Sequence, residues 1–216
     1  LVKGGPPRLP DNPKNDRPGV YYQTYAGDWD RLPDFDKLKP FKKGVIDNLL
    51  PTIAGLEDHF GVRHTGFLLI EKSGEYEFST NSDDGSRFYV GDRLVVDNDG
   101  VHVGVTRKGT ISLAPGKHAF TLLFFDKEGG EHNHVSWSGP GFSEKALGGD
   151  FLTQSPDEHP GIRPSKVNRF IAEFDKVKLG KQLFSELNCA ACHAVEPNGK
   201  LHRPEGILGP PPALVE

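Results

Sequence analysis

Alternation of apolar and polar residues with a period of two recurs between Gly19 and Phe142, and it restricts the fold more than any other feature. Tyr76 and Phe78 share one face of a predicted strand, and Phe88 and Val90 share one face of the next. Turn signals separate such runs at Gly91-Asp92, Asn98-Asp99-Gly100, Lys108-Gly109, Pro115-Gly116 and Glu128-Gly129-Gly130. The spacing predicts an all-β sandwich or barrel, without a helix of comparable length.

Proline-rich and glycine-rich stretches set the predicted boundaries of this β-domain at residues 19–142. Residues 1–18 are crowded with Pro, which fixes φ and lacks a backbone donor, so we predict an extended linker there. Residues 143–165 lose periodicity and predict a second linker. In residues 166–216, apolar residues recur at helical spacing from Phe170 to Leu187, which indicates an amphipathic helix.

Charge and hydropathy exclude several classes of function. The net charge of -4 leaves no excess of Lys and Arg to follow a phosphate backbone, so we expect no nucleic-acid partner. The longest apolar runs, Phe67 to Ile70 and Leu122 to Phe125, are far shorter than the roughly 18 residues of a membrane helix, so we expect no membrane span. No nucleophile, base and orienting group stand out by spacing, so we expect no enzyme activity from this chain.

The two cysteines stand together in the motif Cys189-Ala190-Ala191-Cys192-His193. This C-x-x-C-H spacing is typical of covalent haem c attachment, in which two thiols bond the porphyrin and the imidazole ligates iron. A thiol redox pair or half of a zinc site are the alternatives. Zinc would have to recruit His202 or another distant His, because the chain holds no further Cys.

The surroundings of this motif resemble class I cytochromes c. Gly180 and Phe184 stand where the N-terminal helix of that family carries Gly and an aromatic residue, and Pro212-Ala213-Leu214 matches the segment after the haem histidine. The resemblance implies that Cys189 and Cys192 bind haem c, that His193 ligates its iron, and that the Pro212 carbonyl accepts the hydrogen bond from His193 Nδ1.

The resemblance covers only the N-terminal part of a cytochrome domain, so we expect this segment to be truncated. The chain has no Met, the usual sixth ligand, and His202 is the one substitute within it. We therefore expect the sixth ligand to lie beyond Glu216. In such families haem is attached outside the cytoplasm, which implies a periplasmic or extracellular bacterial protein.

Another resemblance rests on Ser82-Asp83-Asp84-Gly85-Ser86-Arg87-Phe88, on Leu94 to Gly100 and on Trp137-Ser138-Gly139-Pro140-Gly141. These segments resemble the signature of PA14 domains, which form a β-barrel or sandwich and often bind carbohydrate. The fold class implied for the whole chain is mainly β, with a PA14-type domain followed by a partial α-helical cytochrome c segment.

In the sugar-binding PA14 domains a pair of Asp residues holds a calcium ion that contacts the sugar, and Asp83 and Asp84 match that pair. Asp126, Glu131 and Asn133 are unranked candidates for the further ligands, since calcium takes six to eight oxygens, and Asn133 is also a candidate carbohydrate contact. The alternative is that Asp-Asp-Gly forms an ordinary hairpin turn.

Together, the motifs predict an exported haem c electron-transfer protein that carries a PA14 module for binding carbohydrate or a partner. The expected partners are a redox protein or domain and a glycan. Such pairings are similar to large multidomain proteins of planctomycete-like bacteria, and a longer parent protein would then be a candidate oxidoreductase. The alternative is a calcium-dependent lectin or adhesin in which the haem segment is incidental.

Overall fold

The computed structural model describes residues 6–156 and, after them, residues 194–195 and 201–202. The chain divides into two compact units, Leu1–Pro164 and Ser165–Glu216. The strands of the first unit are β1 Arg17–Pro18, β2 Val20–Ala26, β3 Lys42–Ile46, β4 Phe60–Ile70, β5 Gly74–Asp83, β6 Ser86–Val90, β7 Arg93–Asn98, β8 Val105–Leu113, β9 Gly116–Asp126, β10 His132–Gly139, β11 Phe142–Ala146 and β12 Leu152–Gln154.

Short 3-10 helices and one further strand pair complete the described elements. The 3-10 helices are Phe35–Lys37, Pro51–Ala54 and Gly149–Phe151, and β13 Ala194–Val195 pairs with β14 Leu201–His202 in the second unit. Within the described residues, no helix is long and apolar enough to cross a membrane. The predicted helix from Phe170 to Leu187 lies outside the described residues.

The strands of the first unit form two antiparallel sheets. The larger sheet has the order β1-β12-β4-β9-β6-β7, and β2 also pairs with β4 while β3 pairs with β2. The smaller sheet has the order β11-β10-β5-β8. The prediction of a mainly β fold is confirmed for this part of the chain.

A column of aromatic rings fills the space between the sheets. Tyr76 and Phe78 of the smaller sheet stack on Trp137 with ring centroids 5.8 and 6.1 Å apart, and Phe78 reaches Phe88 of the larger sheet at 5.0 Å. Phe88 in turn stacks on Phe120 at 5.9 Å. All five side chains are buried, so the period-two faces predicted from the sequence do face the core.

The structure places part of the predicted second linker inside the β-domain. Residues 143–146 complete β11, and β12 adds to the larger sheet with Leu152 opposite Leu68. Leu152 is buried and belongs to the main core cluster. A strand of three residues is too short to show alternation in the sequence, which is why only the Gly and Pro residues around it were visible.

The first predicted linker also contributes to the sheet. Arg17 of β1 lies opposite Gln154 of β12, and further upstream Arg8 forms an ion pair with Asp11 and contacts His118 at 2.9 Å. The proline-rich stretch from residue 6 therefore lies along the β-domain, whereas the sequence predicted a separate linker.

Candidate functional site

Asp83 and Asp84 lie where β5 ends, joined by a cis peptide bond. The two Asp84 oxygens accept hydrogen bonds from the backbone N–H of His102, at 2.9 Å, and of Lys127, at 2.8 Å. Asp83 Oδ2 accepts a longer bond from the Gly104 N–H, at 3.4 Å. The pair thus ties together the loops that follow β7 and β9. The sequence could not predict these backbone donors, because every residue except Pro has a backbone N–H.

Asn133 lies beside the aspartate pair across the β5–β10 ladder. His132 is opposite Asp83 and Asn133 is opposite Ser82, so Asn133 is one step from the pair. The Asn133 side chain is buried, and within the described residues neither its oxygen nor its nitrogen has a hydrogen-bond partner. A buried amide without partners costs about 1–3 kcal/mol, which a bound ion or ligand would recover.

Asp126 ends β9 at the same end of the domain and is fully buried. Neither of its carboxylate oxygens has a partner among the described residues. Burial above all, and then the charges of Asp84, Asp58, Glu131 and Asp83, raise the pKa of Asp126 to about 7. The end of the sandwich therefore concentrates negative charge and unused oxygen acceptors in one place.

The side-chain oxygens at this end of the sandwich suit calcium better than zinc, because zinc favours thiolate and imidazole ligands. Within the described residues no three His, Cys, Asp or Glu side chains are grouped closely enough to hold a metal ion. A calcium ion here would need the Asn133 amide oxygen, backbone carbonyls, water or ligand hydroxyls besides Asp83 and Asp84. The orphaned Asn133 amide fits such a role.

A network of buried polar side chains supports this end of the sandwich. Ser86 Oγ bonds Ser82 Oγ at 2.8 Å and donates to Thr80 Oγ1 at 3.0 Å. Asn98 Nδ2 donates to Ser82 Oγ at 3.0 Å and to the Val105 carbonyl at 2.8 Å. The loop before Gly100 is thereby fixed to the strand that ends at the aspartate pair.

Two histidines, two tyrosines and Glu131 have surroundings that differ from those of the aspartate pair. His132 is half-buried with Nε2 at 2.7 Å from Asn81 Oδ1, while His134 is exposed. Tyr22 and Tyr25 are buried, so they offer no ring face to a sugar at the surface. Glu131 is half-buried near Asp126, as a loop residue before β10.

The haem motif falls outside the described residues, as does Pro212. The donor set of Cys189, Cys192 and His193 has the chemistry that haem c requires, two thiols for the thioether bonds and an imidazole for the iron. The roles of these residues, and a sixth ligand beyond Glu216, stay predictions.

The first unit is thus an antiparallel β-sandwich with an aspartate pair and a buried Asn at one end. The model of the PA14 domain family matches residues 16–149, and the chain belongs to that family. The cytochrome c model matches residues 177–215, so a PA14 domain is followed here by a cytochrome c segment.

Known proteins resemble the two parts separately. Cytochrome c oxidase subunit 2 of Bacillus subtilis (strain 168) is 47% identical over 49 residues, which are 22% of this chain and 14% of that protein. The PA14 domain of the antifreeze protein MpAFP superposes with a TM-score of 0.56 at 18% identity, covering 70% of this chain and 98% of that domain.

The PA14 sugar-binding domain of an RTX adhesin has a TM-score of 0.54 at 17% identity, over 64% of this chain and 99% of that one. An epithelial adhesin A domain from Candida glabrata, solved in complex with β-lactose, has a TM-score of 0.55 at 12% identity, over 73% of this chain and 97% of that one. At these identities the likeness concerns the fold.

Proposed function

We propose that the chain is an exported, non-catalytic electron-transfer protein whose PA14 domain binds glycan through calcium. Asp83, Asp84 and Asn133 would hold the ion, and the ion would contact sugar hydroxyls. Haem c on Cys189, Cys192 and His193 would pass single electrons to a redox partner protein or domain. A periplasmic or extracellular location follows from the site of haem attachment.

The observation that carries the glycan part is the buried Asn133 amide without a partner beside the aspartate pair. Buried amides in native proteins normally have a partner, so the Asn133 amide is expected to bind an ion or a ligand. The sugar-binding RTX adhesin domain and the lactose-bound adhesin domain share the fold, and both support the assignment of a sugar ligand.

The calcium site is tested by thermal unfolding of the full chain in calcium and in chelator. Calcium at 100 times its Kd should stabilise the domain by about 2.7 kcal/mol, which corresponds to a rise of about 5–10 °C in Tm. Asp83→Asn and Asn133→Leu should abolish the rise. Asn133→Leu should also leave the chelated protein folded, because it removes an unpartnered amide.

Asp97→Asn is the matched control, because Asp97 is half-exposed and its carboxylate pairs with Arg87. It should keep the calcium response. A glycan array in calcium and in chelator then tests the ligand. Equal Tm in calcium and chelator would refute the calcium site, and a calcium response without any glycan signal would refute the sugar ligand.

The haem assignment is tested by expressing the full chain with a c-type maturation system outside the cytoplasm. The denatured chain should carry the mass of one haem, and Cys192→Ala should lose one of the two thioether bonds. The alternative lectin function, with incidental haem, would be favoured by calcium-dependent glycan binding in a chain that never acquires haem. An unmodified mass would refute the electron-transfer role.

A further inference from the structure

The ammonium group of Lys145, on β11, lies against three aromatic rings. Its Nζ is 4.1 Å from the ring centroid of Phe151, 4.7 Å from that of Phe142 and 5.6 Å from that of Trp137. All three distances are within the roughly 6 Å at which a ring face attracts a cation. Three rings around one cation form an aromatic cage, here defined as Trp137, Phe142 and Phe151.

A cavity of about 150 Å³ opens beside this cage, at the other end of β10 from the aspartate pair. Trp137 is five residues along the strand from His132, the residue opposite Asp83, which is a distance of about 17 Å. Tyr76 and the exposed Glu71 also line the cavity. Glu71 and Lys72 place one negative and one positive charge on the wall, and Leu69 and Pro140 add aliphatic surface to it.

The rings are the partners that hold Lys145 in the cage. Its side chain is exposed and has no ion pair or hydrogen bond within the part of the chain that the structure describes. A primary ammonium group is strongly hydrated and gains from hydrogen-bond acceptors, which the ring faces do not provide. Water can therefore take up the Lys145 ammonium when another cation enters, at the cost of about one cation–ring contact.

We propose that this cage is a binding site for small molecules with a quaternary or multiply methylated ammonium group, which displace the Lys145 ammonium. Such a group has no N–H donors to satisfy, and its charge is spread over methyl groups that pack against rings.

Intrinsic fluorescence of the full chain can report on the cage, because the chain has only two Trp residues. Trp29→Phe keeps an aromatic ring beside Phe35 and leaves Trp137 as the single emitter. In this background, choline at constant ionic strength should change the emission saturably. The neutral isostere 3,3-dimethylbutan-1-ol, which has the shape without the charge, should bind more weakly by at least several-fold.

Two variants separate a ligand site from a merely stabilising contact. Lys145→Ala removes the internal competitor and should tighten choline binding by between about two-fold and thirty-fold, the range that corresponds to one cation–ring contact. Phe151→Leu keeps apolar volume at a half-buried position and should weaken binding by a similar factor. The melting temperature of each variant verifies that it is folded.

The proposal is overturned if folded Lys145→Ala shows no saturable response to choline. It is also overturned if the neutral isostere binds as tightly as choline, because the site would then be an apolar cleft without preference for cations. Saturable binding that is tighter in Lys145→Ala and weaker in Phe151→Leu supports it.

Discussion

Replacement of His64 by Leu is expected to make the β-domain less sensitive to acid. His64 lies on β4 opposite Tyr22 and Leu122, and its side chain is fully buried. Neither ring nitrogen has a hydrogen-bond partner among the described residues. Burial alone lowers the pKa of His64 from 6.5 to about 3.

The sign of the effect follows from the two pKa values. The unfolded chain binds a proton at His64 below about pH 6.5, whereas the folded ring stays neutral down to about pH 3. Stability is therefore fully present above pH 6.5 and is lost as the pH falls. The loss amounts to about 2 kcal/mol at pH 5 and approaches about 5 kcal/mol below pH 3.

Urea unfolding at pH 7.5 and at pH 5, in chelator, measures this loss. When the pH falls from 7.5 to 5, the free energy of unfolding of His64→Leu should decrease by about 2 kcal/mol less than that of the parent chain. At pH 7.5 it should be as stable as the parent or more so, because two unpartnered nitrogens are removed.

The pH dependence of stability must be compared between His64→Leu and the parent chain, because Asp126 changes the stability of both chains in the opposite direction. Its pKa is raised to about 7, so its contribution to stability is present at low pH and is lost as the pH rises toward 7. His134→Leu, at an exposed position, should keep the pH dependence of the parent. An unchanged pH dependence in His64→Leu would refute the account given for His64.

Two further predictions concern the packing of the sandwich. Gly109→Ala would place a Cβ far inside the van der Waals distance of the Val95 carbonyl oxygen, so urea unfolding should show a loss of about 2–3 kcal/mol; Gly148→Ala, with no atom within 4 Å of the new Cβ, should leave stability nearly unchanged. Asn98→Ala removes the amide that donates to Ser82 and should cost about 1–3 kcal/mol by the same measurement, and a cost below a few tenths would contradict the role given to the buried network.

The fold of the β-domain was predictable because strand alternation is a local property. Phe78, Phe88 and Val90 could be assigned to the core from a few residues on either side of each. The short strand β12 could not be assigned in this way, because its place depends on pairing with β4, about eighty residues earlier in the chain. The sequence therefore predicted a linker over residues 143–156, although several of these residues are buried.

The aspartate pair of the candidate site was visible in the sequence, but its surroundings were not. Asp126, Glu131 and Asn133 could not be ranked from the sequence. The positions of Glu131 and Asn133 relative to Asp83 depend on the register between β5 and β10, and that of Asp126 depends on the pairing of β9 with β4. The structure sets Asn133 opposite Ser82 and leaves its amide without a partner among the described residues. A pairing between residues 51 positions apart leaves no trace in local composition.

Strand β10 contributes Asn133 to the candidate calcium site and Trp137 to the aromatic cage, and both side chains lie on the same face of the strand. Asn133, Val135 and Trp137 all point inward, while His134 between them is exposed. A shift of the register by one residue would turn the Asn133 amide and the Trp137 ring outward together. The apolar contacts of Val135 and Trp137 in the core therefore also hold Asn133 beside the aspartate pair. They offset the energetic cost of burying the unpartnered Asn133 amide. If calcium recovers that cost, Asn133→Leu should stabilise the protein in chelator by about as much as the orphaned amide destabilises it, about 1–3 kcal/mol, and a loss of stability in chelator would mean that the amide already has a partner.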